Sequence, residues 1–446
     1  MAQLDLFPLK SIVSPKWYIF KTLEIGKVYE KLPLKELGKC LPLQYENGKG
    51  APRWLSNEGM FALMFLKHYL NVSDYQLIER FNTDWSLQIF CNRTLAEGEL
   101  IKDSNLPSRV RCYIAEHADL NQMQTVLLNH WKQDIENTHV LSMDATCYES
   151  YIRYPTDVKL LWEANQWIYD KLLFRLCRLT GTKRPRNKYV VQKRKQLSYD
   201  KLRRKSIKKG KARKKSLIYL LTKGIRHLQN FLNSHPQVDL SSNQYAYIRT
   251  IKKVLQQQEY LFDNPGEKVK DRIVSLYKPY LRPIVRGKEN KPVEFGMKAH
   301  ILQTGGIQYF DLMDFNAYNE CKRLKVSCVK HKILFGHLNQ LSADRIYPTN
   351  ENRRYITSQQ IFTNFLKKGP VKLSKPEKAL QSELNKDRST ILEGSFGNHK
   401  NNYGLRKIKA RGAQNERVWV FFGVMASNAK KLALTKASPP PMQMAA

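Results

Sequence analysis

The sequence predicts an α/β chain: a mixed sheet flanked by helices, carrying a basic helical insertion and preceded by an all-helical region. Three observations predict it. Apolar, strand-like runs recur after residue 136 with helical stretches between them. Short helices with tight breaks fill residues 1–135. Between the first strand and the rest lies a long helical stretch unusually dense in Lys and Arg. With 446 residues, 42% of them apolar, the chain is long enough for two or three domains with substantial cores.

In the N-terminal region, residues 56–58 (Ser56, Asn57, Glu58) open an apolar helix through Met60, Leu63, Met64 and Leu66. Asn71 to Ser73 break it, and Ser73 with Gln76 forms a capping-box pattern that satisfies the free donors of a second helix start. Asn82 to Asp84 make another break before a third helix over 85–91. Short helices after tight turns suit a DNA reader as well as a plain bundle. On the first reading, the helix over 85–91 would enter the groove.

A strand is expected over 139–146, then basic helices over 157–262. Residues 183–215 hold 17 Lys/Arg and a single acid, Asp200, so this stretch supplies +16 of the net +37. So one-sided a charge repels itself in the compact state and attracts polyanions, nucleic acid above all. Lys201, Arg203, Arg204 and Lys205 are the expected phosphate contacts, which grip without reading sequence. Strands at 293–302 and 307–313 flank Gly305 and Gly306 as a hairpin. A helix over 316–332, a short strand over 339–344, a partly helical 350–366, a strand at 369–373 and a helical 375–400 complete the order. The expected domains are a helical DNA-binding region over 1–135, a catalytic α/β domain over 136–432 with its insertion at 157–262, and a disordered tail over 433–446.

Several classes are excluded. There is no run of about 18 apolar residues to span a bilayer, and the opening residues lack a signal-peptide pattern. The longest apolar stretch, 418–426, suits a buried element. Seven cysteines without a CxxC argue against a disulfide framework or zinc ribbon and for reduced thiols in a cytosol. No HxxxH or HxH occurs among the ten histidines.

Three acids are conspicuous. Asp144 lies within an apolar strand, Asp344 ends the strand over 339–344, and Glu393 follows the apolar pair Ile391 and Leu392. Brought together and buried, three carboxylates repel and their pKa values rise. A divalent cation relieves that repulsion, and Mg²⁺ favours such oxygen ligands.

Residues 141–163, 282–288 with 293–298, 342–347 with Asn352 and Arg353, and 392–400 with 403–405 resemble, in this order, the successive blocks of bacterial insertion-sequence transposases of the DDE superfamily. Residues 56–92 are similar to that family's N-terminal domain. The resemblance implies an RNase H-like fold, cleavage at transposon ends and strand transfer. It also implies Mg²⁺ or Mn²⁺ as cofactor, two ions held by Asp144, Asp344 and Glu393. The implied partner is double-stranded DNA, both terminal inverted repeats and target, bound by a homodimer in the bacterial cytoplasm near the nucleoid, with no membrane. Lys400 matches the family's E-x6-K pattern and would hold a phosphate. Arg388 is the candidate for the family's upstream arginine, with four residues before Glu393 where some branches have three. Asp311 and Asp314 are rivals for the second Asp, but in an RNase H-like sheet that residue ends the fourth strand, after a helix, which favours Asp344. Asp157 and Glu320 read as supporting acids. The alternatives are an inactive or non-enzymatic DNA-binding relative, and a tyrosine recombinase, for which no Arg–His constellation is found.

Overall fold

The computed structural model describes residues 15–42, 54–285, 292–367, 369 and 373–435. It is mixed α/β. Its six strands are β1 (Val140–Glu149), β2 (Pro283–Val285), β3 (Val293–Thr304), β4 (Ile307–Asp314), β5 (Gln340–Ala343) and β6 (Phe362–Thr363). Two compact units divide the chain: Met1–Tyr151, Met297–Asp314 and Tyr318–Ala446 form the first, and Ile152–Gly296 with Phe315–Ala317 the second.

In the first unit the strands run in the order β4-β3-β1-β5-β6. β3 and β4 are antiparallel, while β1, β5 and β6 are parallel. The β3–β4 turn needs positive φ at both Gly305 and Gly306 (54° and 76°), the backbone of a two-residue hairpin. A Cβ on Gly305 would also lie 2.4 Å from the Glu136 carbonyl oxygen. The outer edge of β4 does not face water bare. The Gln124 amide exchanges hydrogen bonds with both backbone groups of Phe310 (2.7 and 3.0 Å), and the Asn428 amide does the same for Gln308 (3.1 and 2.7 Å). Side chains thus replace the missing neighbour strand and blunt an edge that would otherwise pair with another chain.

Helix Ala413–Leu434 carries the apolar stretch, buried from Val418 to Ala426. Apolar all round over that stretch, the middle of the helix belongs inside. It packs on helix Asn57–Tyr69, with the Phe422 ring 5.1 Å from Phe65 and 6.2 Å from Phe61. Gly423 lets it settle on Leu405, since a Cβ there would meet that side chain at 2.5 Å. The N-terminal helices therefore share a unit with the sheet rather than forming a domain of their own over 1–135. The boundary expected at 432/433 also falls inside this helix.

Helix Asn57–Tyr69 is capped by the Ser56 hydroxyl, and helix Asp74–Thr83 has the full Ser73/Gln76 capping box. The expectation that 85–91 forms a groove-reading helix is corrected. Helix Trp85–Phe90 is six residues long, and Ser86, Leu87, Gln88, Phe90 and Cys91 are buried. Two core-facing turns leave no side to present. The exposed residues nearby are Tyr75, Gln76, Glu79, Arg80 and Thr83 of the preceding helix.

The second unit has its own core, built from Leu161, Ile168, Leu172, Leu217, Leu221, Ile251 and Val254 among others. Helices Asp157–Gln166, Phe174–Leu179, Tyr189–Lys201, Ile207–Ser234 and Ser242–Asp263 supply it, with a π-helical segment at Trp167–Leu173. β2 pairs antiparallel with Val293–Phe295. The strand expected at 369–373 falls mostly on 370–372, part of the 282–288 block falls on 286–288, and most of the tail falls on 436–446. All lie outside the described residues. Among the described residues no helix is long and apolar enough to cross a membrane.

Candidate active site

Strand register places the two aspartates. β1 and β5 pair in parallel with Met143 opposite Ala343, so Asp144 and Asp344 are the next residues on adjacent strands. Asp344 leaves the strand at its carboxyl end, the side on which open α/β sheets bind ligands. What fixes it is the residue before. The Asn364 amide accepts from the Ala343 N–H (3.1 Å) and donates to the Ala343 carbonyl (3.0 Å), continuing the sheet by a side chain. Beside it, the Ser342 hydroxyl donates to the Leu384 carbonyl at 2.8 Å, tying the strand to the helix that leads toward Glu393.

That helix changes pitch on the way. Lys375–Asp387 is α-helical, Arg388–Leu392 is a π-helical turn, and Glu393–Asn402 is α-helical again. A π turn holds one residue more than an α turn, and such turns occur often at functional sites. Here it lies between Arg388 and Glu393. Five positions apart on a regular α-helix, the two side chains would diverge; across the π turn, Arg388 Nη1 donates to Glu393 Oε1 at 2.6 Å.

Arg388 gathers the acids. Its guanidinium lies 3.5 Å from Asp144 Oδ2 and 3.9 Å from Asp344 Oδ1, besides its bond to Glu393. The structure thus brings Asp144, Asp344, Glu393 and Arg388 to one place. Asp144 is the most enclosed of the carboxylates, with 16% of its side chain exposed against 50% for Asp344 and 46% for Glu393. Burial pushes the Asp144 carboxyl up to about 6; the Ala145 N–H and Arg388 oppose the rise, and Glu320 and Asp344 add to it. Among the described residues no three acidic, His or Cys side chains stand close enough to share a metal ion as they are. The donor chemistry nevertheless suits a hard cation, because three carboxylates converge on a positive group. A metal ion held by all three carboxylates would require Arg388 to turn away.

Lys400 lies on the same side of β1. Asp144, Thr146 and Tyr148 alternate onto one face of the strand. Lys400 Nζ donates to Thr146 Oγ1 at 3.4 Å and sits 6.0 Å from the Tyr148 ring centre, while His399 Nδ1 lies 2.9 Å from the Tyr148 hydroxyl. Glu320 pairs with Lys298 at 2.5 Å and is near enough to Asp144 to act on it.

Asp311, the rival, is in a different setting. Arg323 holds both its oxygens (2.8 and 2.9 Å) and His300 Nδ1 lies 2.9 Å away. Burial alone would raise its carboxyl, but these two partners hold it far below the ordinary range. The other side of His300 meets the buried Tyr347 hydroxyl at 2.8 Å, so Asp311 anchors a packed chain of polar groups. Asp157 lies in the second unit, bonded to Lys214, Arg272 and Gln258 at 2.8, 2.6 and 3.1 Å. Lys201, Arg203, Arg204 and Lys205 also belong to the second unit, exposed at the end of helix Tyr189–Lys201 and in the loop after it.

Sequence reasoning missed Asn364, whose pairing with Ala343 has no signature in spacing. It also missed a basic cleft near Lys400, whose one linear trace is the run of cations from Arg406 to Arg411. No protein-family model, curated protein or solved structure matches this chain.

Proposed function

We propose that the chain is a DNA transposase of the DDE type, cutting at transposon ends and joining them to target DNA on an RNase H-like fold. The observation that carries this reading is the strand register. It sets Asp144 and Asp344 side by side on parallel neighbours while the Arg388–Glu393 turn delivers a third carboxylate. Supporting it, the first unit's strands β1, β3, β4 and β5 appear in the order expected of that fold, with Asp344 ending the fourth after helix Leu324–Phe335. The pinned state of Asp311 favours Asp344 as the second acid.

In this reading Asp144, Asp344 and Glu393 would hold two divalent cations. Bound there, the ions would supply an activated water or 3′-hydroxyl and stabilise the leaving oxygen. The protein's own groups do the rest. Arg388, released from the carboxylates, offers a planar fork of donors that matches a phosphate. Lys400, two helical turns beyond Glu393, supplies a point charge for a neighbouring phosphate. Packing of β1 against helix Glu393–Asn402 keeps these groups on one surface.

DNA binding without cutting is the second reading, favoured by one observation: Arg388 occupies the space among the carboxylates where a cation would sit. One experiment separates them. With Mg²⁺ and DNA carrying the repeats that flank the gene, wild-type protein should nick at the repeat end. Asp144→Ala, Asp344→Ala and Glu393→Ala should each abolish nicking while gel shifts stay near normal. Retained cutting by Asp344→Ala together with its loss in Asp311→Ala would move the second acid; no cutting by wild type would leave the binding reading.

A further inference from the structure

The first unit contains a cleft of about 870 Å³ between the N-terminal helices and the segment that follows helix Glu393–Asn402. Its floor is built around two cations that are almost wholly enclosed. Lys67 and Arg111 keep only 5% and 6% of their side chains exposed, and they share one carboxylate, Asp74, at 2.7 and 3.6 Å. Both lie over the Trp419 ring, at 5.4 and 4.7 Å from its centre. Arg111 Nη2 also donates to the Ser108 hydroxyl at 3.0 Å, yet the buried Arg111 Nη1 has no hydrogen-bond partner in the structure.

Two buried cations against one acid are expensive unless another anion completes the set. More positive charge stands at the rim, where Arg406, Lys409 and Arg411 are exposed and line the cleft. Burial pulls the Lys67 ammonium below its ordinary value and Asp74 pulls it back, while Arg111 and Lys409 add to the fall. An unsatisfied guanidinium N–H at the floor and a cationic rim together describe a receptor for an oxyanion with several acceptor oxygens.

Helix Glu393–Asn402 indicates which oxyanion. Its first residue is at the carboxylate site, and Lys400 and Asn401 near its other end line the cleft. Seven residues at 1.5 Å per residue span about 10 Å, which is roughly three nucleotides at 3.4 Å of rise per strand position. We propose that this cleft seats the phosphodiester backbone of a DNA strand, starting about three nucleotides from the bond held at Asp144, Asp344 and Glu393, with Arg111 as its buried phosphate ligand. The position relative to the cut rests on the transposase reading; occupancy of the cleft by DNA does not.

Cys112 supplies the test. It lines the cleft and is the one exposed thiol among the described residues. Full-length protein in EDTA is labelled with a fluorescent maleimide, with and without a saturating 40-base-pair duplex ending in the flanking repeat. Labelling in EDTA does not depend on cutting. DNA should slow Cys112 modification several-fold. Lys409→Ala with Arg411→Ala, both exposed and safe for folding, should flatten the log–log salt dependence of binding by roughly 1.8, about 0.9 for each lost phosphate contact. Arg111→Met should weaken binding further, and its circular dichroism shows whether it is folded. DNA bound in a gel shift while Cys112 labels at the free rate and the double variant keeps the wild-type slope overturns the cleft and leaves the transposase reading standing. Protection of Cys112 by DNA that is never cut with Mg²⁺ does the reverse. Failure to bind DNA at all overturns both.

Discussion

In the first unit, Arg388 keeps 17% of its side chain exposed and touches three carboxylates, and Arg111 and Lys67 are folded into a wall around Asp74. In the second unit, Arg203, Arg204 and Lys205 stand exposed in a loop, and the core beneath the basic helices is apolar. In the first unit Arg388, Arg111 and Lys67 are fixed in position by burial and pairing. The second unit carries the denser basic run, residues 183–215, and leaves much of it solvated, though Gln192 and Gln196 hold Arg213, and Asp157 holds Lys214. Fixed cations can orient a phosphate; solvated ones raise the local concentration of DNA without orienting it. On the proposed function, charge density along the sequence would say where DNA is attracted, and burial where it is held.

The sharpest way to break this comparison is to damage one core. Leu221 is fully buried in the second unit. Leu221→Ala should cost about 2–5 kcal/mol there. Equilibrium denaturation should follow two transitions with only one displaced; a single shifted transition would merge the two regions.

A smaller effect is expected at Asp157, the acid that fastens Lys214 and Arg272. Burial pushes its carboxyl up, but the Lys214 hydrogen bond and the Arg272 and Lys214 charges outweigh that and hold it below the ordinary value. A folded pKa below the unfolded one stabilises fully above about pH 4 and is lost as pH falls through the folded value. Asp157→Asn should cost about 1–3 kcal/mol at neutral pH and should remove that part of the acid limb from a stability–pH curve. An unchanged limb would show the cluster to be ornamental.

The smallest change in stability, within about 0.5 kcal/mol, is expected from replacing Lys201, Arg203, Arg204 and Lys205 together by Ala. Their contribution should appear in the salt titration, as a flatter slope on repeat and scrambled duplexes alike. A changed ratio between the two duplexes would mean that the loop reads sequence.

Much of the local structure was legible. The Ser73/Gln76 box, the Gly305–Gly306 hairpin and the strands around Asp144 and before Asp344 follow from nearest-neighbour chemistry, and each stands where its pattern lies. What was not legible depends on distant partners. The two-residue β6 is a strand only because β5 lies beside it. Helix Trp85–Phe90 has the pattern of an exposed reader but is covered by neighbours no local rule can supply. The cleft joins residues 67–112 to residues 400–419, and no spacing connects them. The π turn at Arg388–Leu392 is a case between: the unusual distance to Glu393 was visible, but its resolution by a change of helical pitch was not.

The pairing of Met143 with Ala343 has a consequence in time as well as in space. The partners are 200 positions apart, with the whole basic insertion between them. On a ribosome adding about 5–20 residues per second, β1 emerges roughly 10–40 s before β5 exists. Throughout that interval β1 is a ten-residue strand, buried along most of its length when folded, with no β5 to pair with. The insertion that follows can bury its own leucines during the wait and adds a strongly repelling charge to the nascent chain. The insertion itself makes up much of that wait, so a chain shortened there would bring β5 to β1 sooner, but without the repelling charge beside the waiting strand.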